Sequence, residues 1–439
     1  MALPSDLAGW LAYQQAVHPQ TIALGLERVR AVAQRLQLAK PAPLVITVAG
    51  TNGKGSTVAM LSAMLSSAGL TVGCYTSPHL LNYRERVQVR GALVAESALL
   101  HAFKQIEAAR GSESLTFFEY GTLAALLIFA HSRLDAVVLE VGLGGRLDAT
   151  NIVDADAVIL TTVGLDHQEY LGATRALIGV EKAGVFRNGQ LAVYADREPE
   201  PSVLEVAKRL GTQLILPQRD YRYALSHGHW QWQWQQEAPI ELPQLALRAP
   251  RQYDNAAAAL ALLCALSARQ SDARLSRLDP RVAAKPLGAA LAAVRVPARL
   301  QLLGRAPELW IDVAHNPQAA ESLAEFLQAQ PRAGRTLMVY GALSDKDALG
   351  VVSALRGMVR HWFIAGLSTV NTRGLSAEAL RDRVAPGLDA PYSLHNEVAG
   401  AICAAQAQAQ ASDRIVIFGS FFLIAAALSA LGYSQLPEP

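Results

Sequence analysis

The chain has 439 residues, 51% of them apolar and 17% charged. At roughly 100–200 residues per domain, that length predicts two or three domains. The composition excludes a disordered chain or a single small module. Lysine plus arginine number 39 against 37 acids, a formal charge of +2, so the chain as a whole carries no basic footprint for nucleic acid or an anionic membrane. Cys74, Cys264 and Cys403 are odd in number, far apart and without CxxC spacing. That argues against a disulfide framework or a cysteine zinc site and fits a reducing cytosol.

The opening MALPSDLAGWLAYQQAVHPQ has no basic stretch followed by an apolar core, so no signal peptide is expected. Apolar positions recur at helical spacing through the first forty residues, including IALGLERVRAVAQRLQL, until Pro41 and Pro43. LVITVAG then reads as a strand buried on both faces. GTNGKGST follows it, then a helical pattern, STVAMLSAMLSSAGL, and a second strand, TVGCYTS. Further strands are predicted at 136–142, 157–164 and 191–195, with helical patterns between several of them. Within 220–247, Trp230, Trp232 and Trp234 alternate with glutamine, which predicts a small antiparallel β element with one buried face. A tryptophan stripe of this kind is read as sheet core rather than as a stacking platform for a ring.

A helix is predicted from Asn255, then an arginine- and alanine-rich stretch with Pro280, Pro286 and Pro297. The strand and helix alternation resumes with ELWIDVAH, RTLMVYGAL, HWFIAGL and DRIVIFGS. The apolar run 415–431 is interrupted by Gly419-Ser420 and reads as strand, turn and buried helix rather than a membrane span. The expected fold is therefore α/β. A P-loop-type, doubly wound, mostly parallel sheet with a small antiparallel β element forms the N-terminal domain, 1–296. A smaller Rossmann-like α/β domain, 297–439, follows a boundary near 295–298.

Gly50-Thr51-Asn52-Gly53-Lys54-Gly55-Ser56-Thr57 lies between a strand and a helix. Glycines let backbone N–H groups turn toward an anion. The helix N-terminus and Lys54 add positive charge, and a hydroxyl can reach Mg²⁺. The usual P-loop has a glycine five residues before Gly53, where this chain has Val48. The loop alone indicates a nucleotide and leaves kinases, GTPases and ligases open. Glu140 ends an apolar strand, where an unpaired carboxylate is costly. On its own it is either a metal ligand or half of an ion pair.

GTNGKGS resembles the loop of the Mur ligase superfamily, whose members form amide bonds with ATP. Further segments occur in order: Thr76-Ser77-Pro78-His79-Leu80 with Tyr83-Arg84-Glu85-Arg86, Leu115-Thr116-Phe117-Phe118-Glu119, Glu140 to Asn151, Leu165-Asp166-His167, and Glu181-Lys182-Ala183-Gly184. Ile311-Asp312-Val313-Ala314-His315-Asn316-Pro317 and Ser344-Asp345-Lys346-Asp347 complete the set. Together they resemble the folylpolyglutamate synthase family, most of all its bacterial bifunctional form.

That resemblance implies a cytoplasmic, monomeric ligase with small-molecule substrates and neither nucleic acid nor membrane as partner. It joins L-glutamate to dihydropteroate and to tetrahydrofolate through an acyl phosphate, with ADP and phosphate released. The alternatives are a chain extender acting on folates only, or another Mur-type amino-acid ligase. The latter usually carries an N-terminal domain for a UDP group, for which a loop starting at residue 50 leaves no room. The resemblance places ATP on Asn52, Gly53, Lys54, Gly55, Ser56, Asn255, Arg299, Asp312 and His315. It places Mg²⁺, as two ions, on Ser77, Glu140 and His167, and leaves K⁺ open. Lys54, His167 and Lys182 are its catalytic residues, with Lys182 carboxylated by CO₂ on its side-chain nitrogen. Thr116, Phe117, Phe118, Glu119, Leu147, Asp148 and Ala149 match its dihydropteroate segments. Arg84, Arg86 and Lys346 are candidates for the glutamate carboxylates. Two departures stand out. Ala23 occupies a position where relatives often carry an acid, and Phe421-Phe422 one where some carry histidine; neither is expected to abolish the chemistry.

Overall fold

The strand Leu44–Ala49 (β1) is buried along its whole length, as an unbroken β-branched run with helices on both faces must be. The computed structural model describes residues 3–20, 22–269, 275–330 and 334–437. β1 lies inside an eight-stranded sheet with β2 (Val72–Tyr75), β3 (Val87–Val89), β4 (Ala92–Leu93), β5 (Ala136–Glu140), β6 (Ala157–Leu160), β7 (Leu191–Tyr194) and β8 (Gln213–Ile215). The order is β4-β3-β2-β5-β1-β6-β7-β8. Pairing is parallel except at the β2-β3 and β3-β4 edge. The short β3, β4 and β8 strands carry little periodicity and are additions to the strands expected from sequence.

Alternation along β1 sends side chains to opposite layers. Ile46 and Val48 pack with the helices Lys54–Ser67 and Gln252–Ala268. Val45, with Val137 and Leu139 of β5, packs with Glu96–Arg110 and Phe117–His131. The sheet is doubly wound, as expected. Both β1 and β5 therefore deliver their C-terminal ends to one edge, where open α/β sheets bind ligands.

The tryptophan stripe lies in a three-stranded antiparallel sheet of β9 (Tyr221–Leu225), β10 (His229–Trp234) and β11 (Ile240–Pro243). Trp230 and Trp232 are fully buried. Their indole N–H groups donate to the carbonyls of Pro243 (3.0 Å) and Ala257 (3.1 Å). The stripe is core, as read from its period.

The second domain holds β12 (Gln301–Arg305), β13 (Glu308–Asp312), β14 (Thr336–Tyr340), β15 (His361–Ala365), β16 (Tyr392–His395) and β17 (Arg414–Phe418). Their order is β12-β13-β17-β14-β15-β16, parallel except at β12-β13. β12 and β16 were not apparent in the sequence. The apolar run at 415–431 is β17, a turn at Gly419 (φ +135°) and the helix Phe421–Ala430, capped by Ser420. Among the described residues no helix is long and apolar enough to cross a membrane.

The N-terminal helical expectation needs correction. Two helices, Leu7–Val17 and Glu27–Arg35, are separated by irregular chain. His18 precedes Pro19 and is extended, as a residue before proline prefers, and Gly25 has φ +147°. The helix expected from Asn255 begins at Gln252. Part of the arginine- and alanine-rich stretch, 270–274, lies outside the described residues.

The first helix is fixed by Trp10, fully buried and 5.7 Å ring to ring from both Tyr13 and Phe103. Trp10→Ala should destabilise the N-terminal domain by about 3–5 kcal/mol, read as a lower urea midpoint for the transition that includes this helix.

Candidate active site

β1 ends in the Gly50–Thr57 loop, whose backbone is pinned to the chain following β6. The Thr51 N–H donates to the Thr162 carbonyl (2.8 Å), and Thr161 Oγ1 donates to the Asn52 carbonyl (2.6 Å). Gly53 precedes the helix Lys54–Ser67 with φ +87°, a conformation that favours glycine. A Cβ there would lie 2.6 Å from Asn255 Oδ1, so Asn255 sits directly against the loop. Lys54 Nζ folds back to the carbonyls of Gly50 and Thr51, at 3.1 Å each. Burial lowers its pKa, against the opposing charges of Glu140 and Asp166.

Lys182, on the helix Arg175–Ala183, is only 4% exposed. Its Nζ donates to the same Gly50 carbonyl at 2.9 Å. Burial, then repulsion from Lys54, brings its pKa down from 10.5 to about 7. Glu140, at the end of β5, accepts from the Ser77 N–H at 3.0 Å. Burial raises its carboxyl pKa, with Lys54 and the Ser77 N–H acting the other way. Ser56 Oγ is buried nearby in the same loop and helix start, without a partner among the described residues.

His167 has a left-handed backbone (φ +51°) and follows Asp166. Its Nδ1 is buried without a partner among the described residues, and its Nε2 lies 3.3 Å from Lys346 Nζ. Burial, then the cations Lys346 and His315, lowers its pKa to about 4 against the pull of Asp166. Asp166 receives Lys346 Nζ at 2.6 Å and Asn316 Nδ2 at 3.2 Å, and His315 Nε2 lies 3.4 Å away. Burial alone would raise the Asp166 carboxyl. His315, Lys346 and His167 outweigh it and hold the group well below the usual carboxylate range. Asn52 and Asn316 exchange amide hydrogen bonds at 3.0 Å, and Gln318 accepts from Asn52 (2.8 Å) and Thr162 (3.1 Å). The second domain is thus tied to the phosphate loop through polar groups alone at this point.

The expected metal donors Ser77, Glu140 and His167 all line one cavity. Ser77 and Glu140 are adjacent, while His167 belongs to the Asp166 group. Among the described residues no three His, Cys, Asp or Glu side chains are placed to hold an ion together. The oxygen donors of Ser56, Ser77 and Glu140 suit Mg²⁺, and the orphaned Ser56 Oγ and His167 Nδ1 are groups an ion would satisfy.

Arg299 and Asp312 face the same cavity from the second domain. Asp312 accepts from the N–H groups of Leu300 (2.8 Å) and Ala314 (2.7 Å), and burial raises its pKa. Arg299 is stacked 5.2 Å over the ring of Phe421, with Nη1 buried and unpartnered among the described residues. His315 Nδ1 bonds the Val313 carbonyl at 2.8 Å, leaving Nε2 toward Asp166.

At the other end, Thr116 caps the helix Phe117–His131, and Glu119 closes a capping box with it. Glu119 also pairs with Arg28 at 3.1 Å. The Phe118 ring lies so close to Gly142 that a Cβ there would meet it at 2.5 Å. Phe117 sits under Arg86, 5.3 Å from the guanidinium. Asp148 caps the turn at Ala149–Ile152. It accepts from the Leu143 N–H, the Thr150 N–H and Thr150 Oγ1, so most of its capacity is already spent on the fold. Leu147 and Ala149 line the same wall.

One cavity of about 920 Å³ runs from the phosphate loop to this aromatic end. It gathers every predicted nucleotide, metal and pterin residue, along with Lys182, Arg86 and Lys346. Arg84 is not on its wall; its Nε donates to the Val94 carbonyl at 2.6 Å. Sequence reasoning assigned no role to Asp166, Asn316, Gln318 or Arg28. A charged residue directly after the buried strand β6 and its loop was the available signal for Asp166.

A phosphate loop, a buried lysine pair and a second α/β domain closing on them define a Mur-type ligase. Residues 48–216 match the Mur ligase middle domain and 298–421 the Mur ligase glutamate ligase domain. The chain is 43% identical to the dihydrofolate synthase/folylpolyglutamate synthase of Escherichia coli K12, over 96% of this chain and 94% of that one. It is 38% identical to the protein of that name from Haemophilus influenzae, over 96% of each. The solved E. coli FolC in complex with DHPP and ADP superposes with a TM-score of 0.88 at 40% identity, covering 98% of this chain and 99% of that one. The Yersinia pestis bifunctional enzyme, complexed with AMPPNP and an Mn ion, gives 0.86 at 43% identity, covering 99% and 100%. The chain belongs to the dihydrofolate synthase/folylpolyglutamate synthase family.

Gly53→Ala should weaken ATP binding about tenfold or more, because the left-handed backbone is strained by a side chain and the methyl group displaces Asn255. Titration of the folded variant with ATP measures this.

Proposed function

We propose that this chain is an ATP-dependent ligase that adds L-glutamate to dihydropteroate, giving dihydrofolate, and to tetrahydrofolate and its polyglutamates. The observation that carries the reading is the single cavity joining the phosphate loop to the aromatic end lined by Phe117 and Phe118. A nucleotide and a flat-ringed acid can lie in it end to end. A carboxylate oxygen attacks the ATP γ-phosphorus, giving an acyl phosphate and ADP. The glutamate amine then attacks the acyl carbon, loses a proton and expels phosphate.

Each step brings anions together, so the positive groups do most of the work. Lys54, with the N–H groups of the Gly50–Ser56 loop, holds the phosphates. Asn255 holds the nucleotide from beside the loop, and Arg299, Asp312 and His315 from the far side, with Arg299 kept in place by Phe421. Ser77, Glu140 and His167, with Ser56 and a modified Lys182 beside them, would hold the two Mg²⁺ ions; bound there, the ions supply charge neutralisation of the phosphates. A K⁺ requirement remains outside what these residues support. Thr116, Phe117, Phe118, Leu147 and Ala149 form the pterin wall, which Glu119 and Asp148 brace. Lys346 is the candidate for the glutamate carboxylate. The two units divide at 296/297, and the reading includes action as a monomer in the cytoplasm, in keeping with three free cysteines.

Lys182 is suited to reaction with CO₂. An amine with a pKa of about 7 is substantially unprotonated at neutral pH. Its nitrogen attacks the carbon of CO₂, an N–C bond forms and one proton is released. The product is anionic, so repulsion of Lys54 becomes attraction.

Ligation of radiolabelled glutamate, with dihydropteroate and tetrahydrofolate as separate acceptors, tests the function. Product with both is expected; ATP hydrolysis without incorporation into either would overturn the reading. Lys182→Ala should lower kcat by ~10–100-fold, the usual cost of losing a group that orients a metal site. Enzyme stripped of CO₂ should lose activity and regain it with bicarbonate. The rate of recovery should rise as pH passes upward through about 7, because only the unprotonated amine reacts.

A further inference from the structure

Gln14 lies on the inward face of the first helix, one turn after Trp10. It is 1% exposed and lines the cavity at its aromatic end. Neither its Nε2 nor its Oε1 has a hydrogen-bond partner among the described residues. A buried amide left in that state is costly unless something else completes it. The helix is not free to carry it elsewhere. Trp10 is locked in the core, and Tyr13 donates to Glu107 at 2.8 Å, which also binds Arg110 and Tyr120.

The carboxylates at this end already have partners. Asp148 receives Leu143 and Thr150. Glu119 receives the Thr116 N–H and Arg28. The Ala23 carbonyl receives Arg28 at 3.0 Å, and the Ala23 side chain is a methyl group with no polar atom to offer. Among the described residues, the buried Gln14 amide thus still has both a donor and an acceptor to give.

We infer that Gln14 is a specificity residue for the pterin ring. Its Oε1 accepts from the exocyclic 2-amino group and its Nε2 donates to the adjacent unprotonated ring nitrogen. An amide presents donor and acceptor side by side, which matches an amino group next to an acceptor and would restore polar recognition on a wall where Ala23 supplies none. The inference rests on the folate reading of the cavity.

The test compares binding of dihydropteroate and of its analogue lacking the 2-amino group, in the presence of ADP, to the full-length wild type and to Gln14→Leu. The wild type should bind dihydropteroate about tenfold more tightly than the analogue, the value of one hydrogen bond. Gln14→Leu should bind both alike, at the affinity of the wild type for the analogue. Gln14→Met, which keeps the reach of the side chain, serves if the leucine variant does not fold. Equal binding of the two ligands by the wild type, or undiminished discrimination in the variant, would overturn the inference alone. A wild type that binds neither ligand would overturn the folate reading and the inference with it.

Discussion

One backbone oxygen organises this site. The Gly50 carbonyl, at the end of the central strand β1, accepts from both Lys54 (3.1 Å) and Lys182 (2.9 Å). Two ammonium groups on one acceptor repel each other, and their shared burial makes the charge costly. Burial lowers both pKa values, and repulsion from Lys54 lowers that of Lys182 further. Relief comes from anions: Glu140 at the end of the neighbouring strand and the phosphates that the loop is shaped to bind. The fold supplies the tension by ending two parallel strands at one edge, and the chemistry uses it.

The same edge determines how the second domain docks. Asp166 follows β6 and collects Lys346, His315 and Asn316 from across the junction. These are short polar contacts between residues 150 to 180 positions apart in sequence. They place His315, and through β13 also Asp312 and Arg299, opposite the phosphate loop. The residues proposed to hold the nucleotide and those that join the two units thus overlap, which suits a reaction in which domain closure assembles the site.

Much of this was legible in the sequence because it depends on local pattern. The β-branched run before GTNGKGST, the acid at the end of AVVLEVG and the aspartate at the end of ELWID all mark strand ends, and strand ends are where this fold binds ligands. The period-two tryptophans likewise announced a half-buried sheet. What was hidden depends on contacts between distant segments. The place of Asp166 after β6 hints at a strand-end site but not at its partners, and nothing local distinguishes Gln14 from any polar residue on a helix; each acquires its role from what the fold brings near it. The break at 18–26 was written in Pro19 and Gly25, but apolar periodicity on both sides masked it. The metal donors show a further limit. Their order along the chain says nothing of their surroundings, and here His167 stands beside Asp166 and Lys346 while Glu140 receives the Ser77 N–H.

The central claim is that the cations around Gly50 serve transfer of a phosphoryl group to the substrate carboxylate before the amide forms. Dihydropteroate labelled with ¹⁸O in its carboxyl group tests it directly, with ATP and unlabelled L-glutamate. The account predicts one ¹⁸O atom in the inorganic phosphate for each amide formed, because the oxygen that attacks phosphorus departs with it. Amide product accompanied by unlabelled phosphate would contradict it.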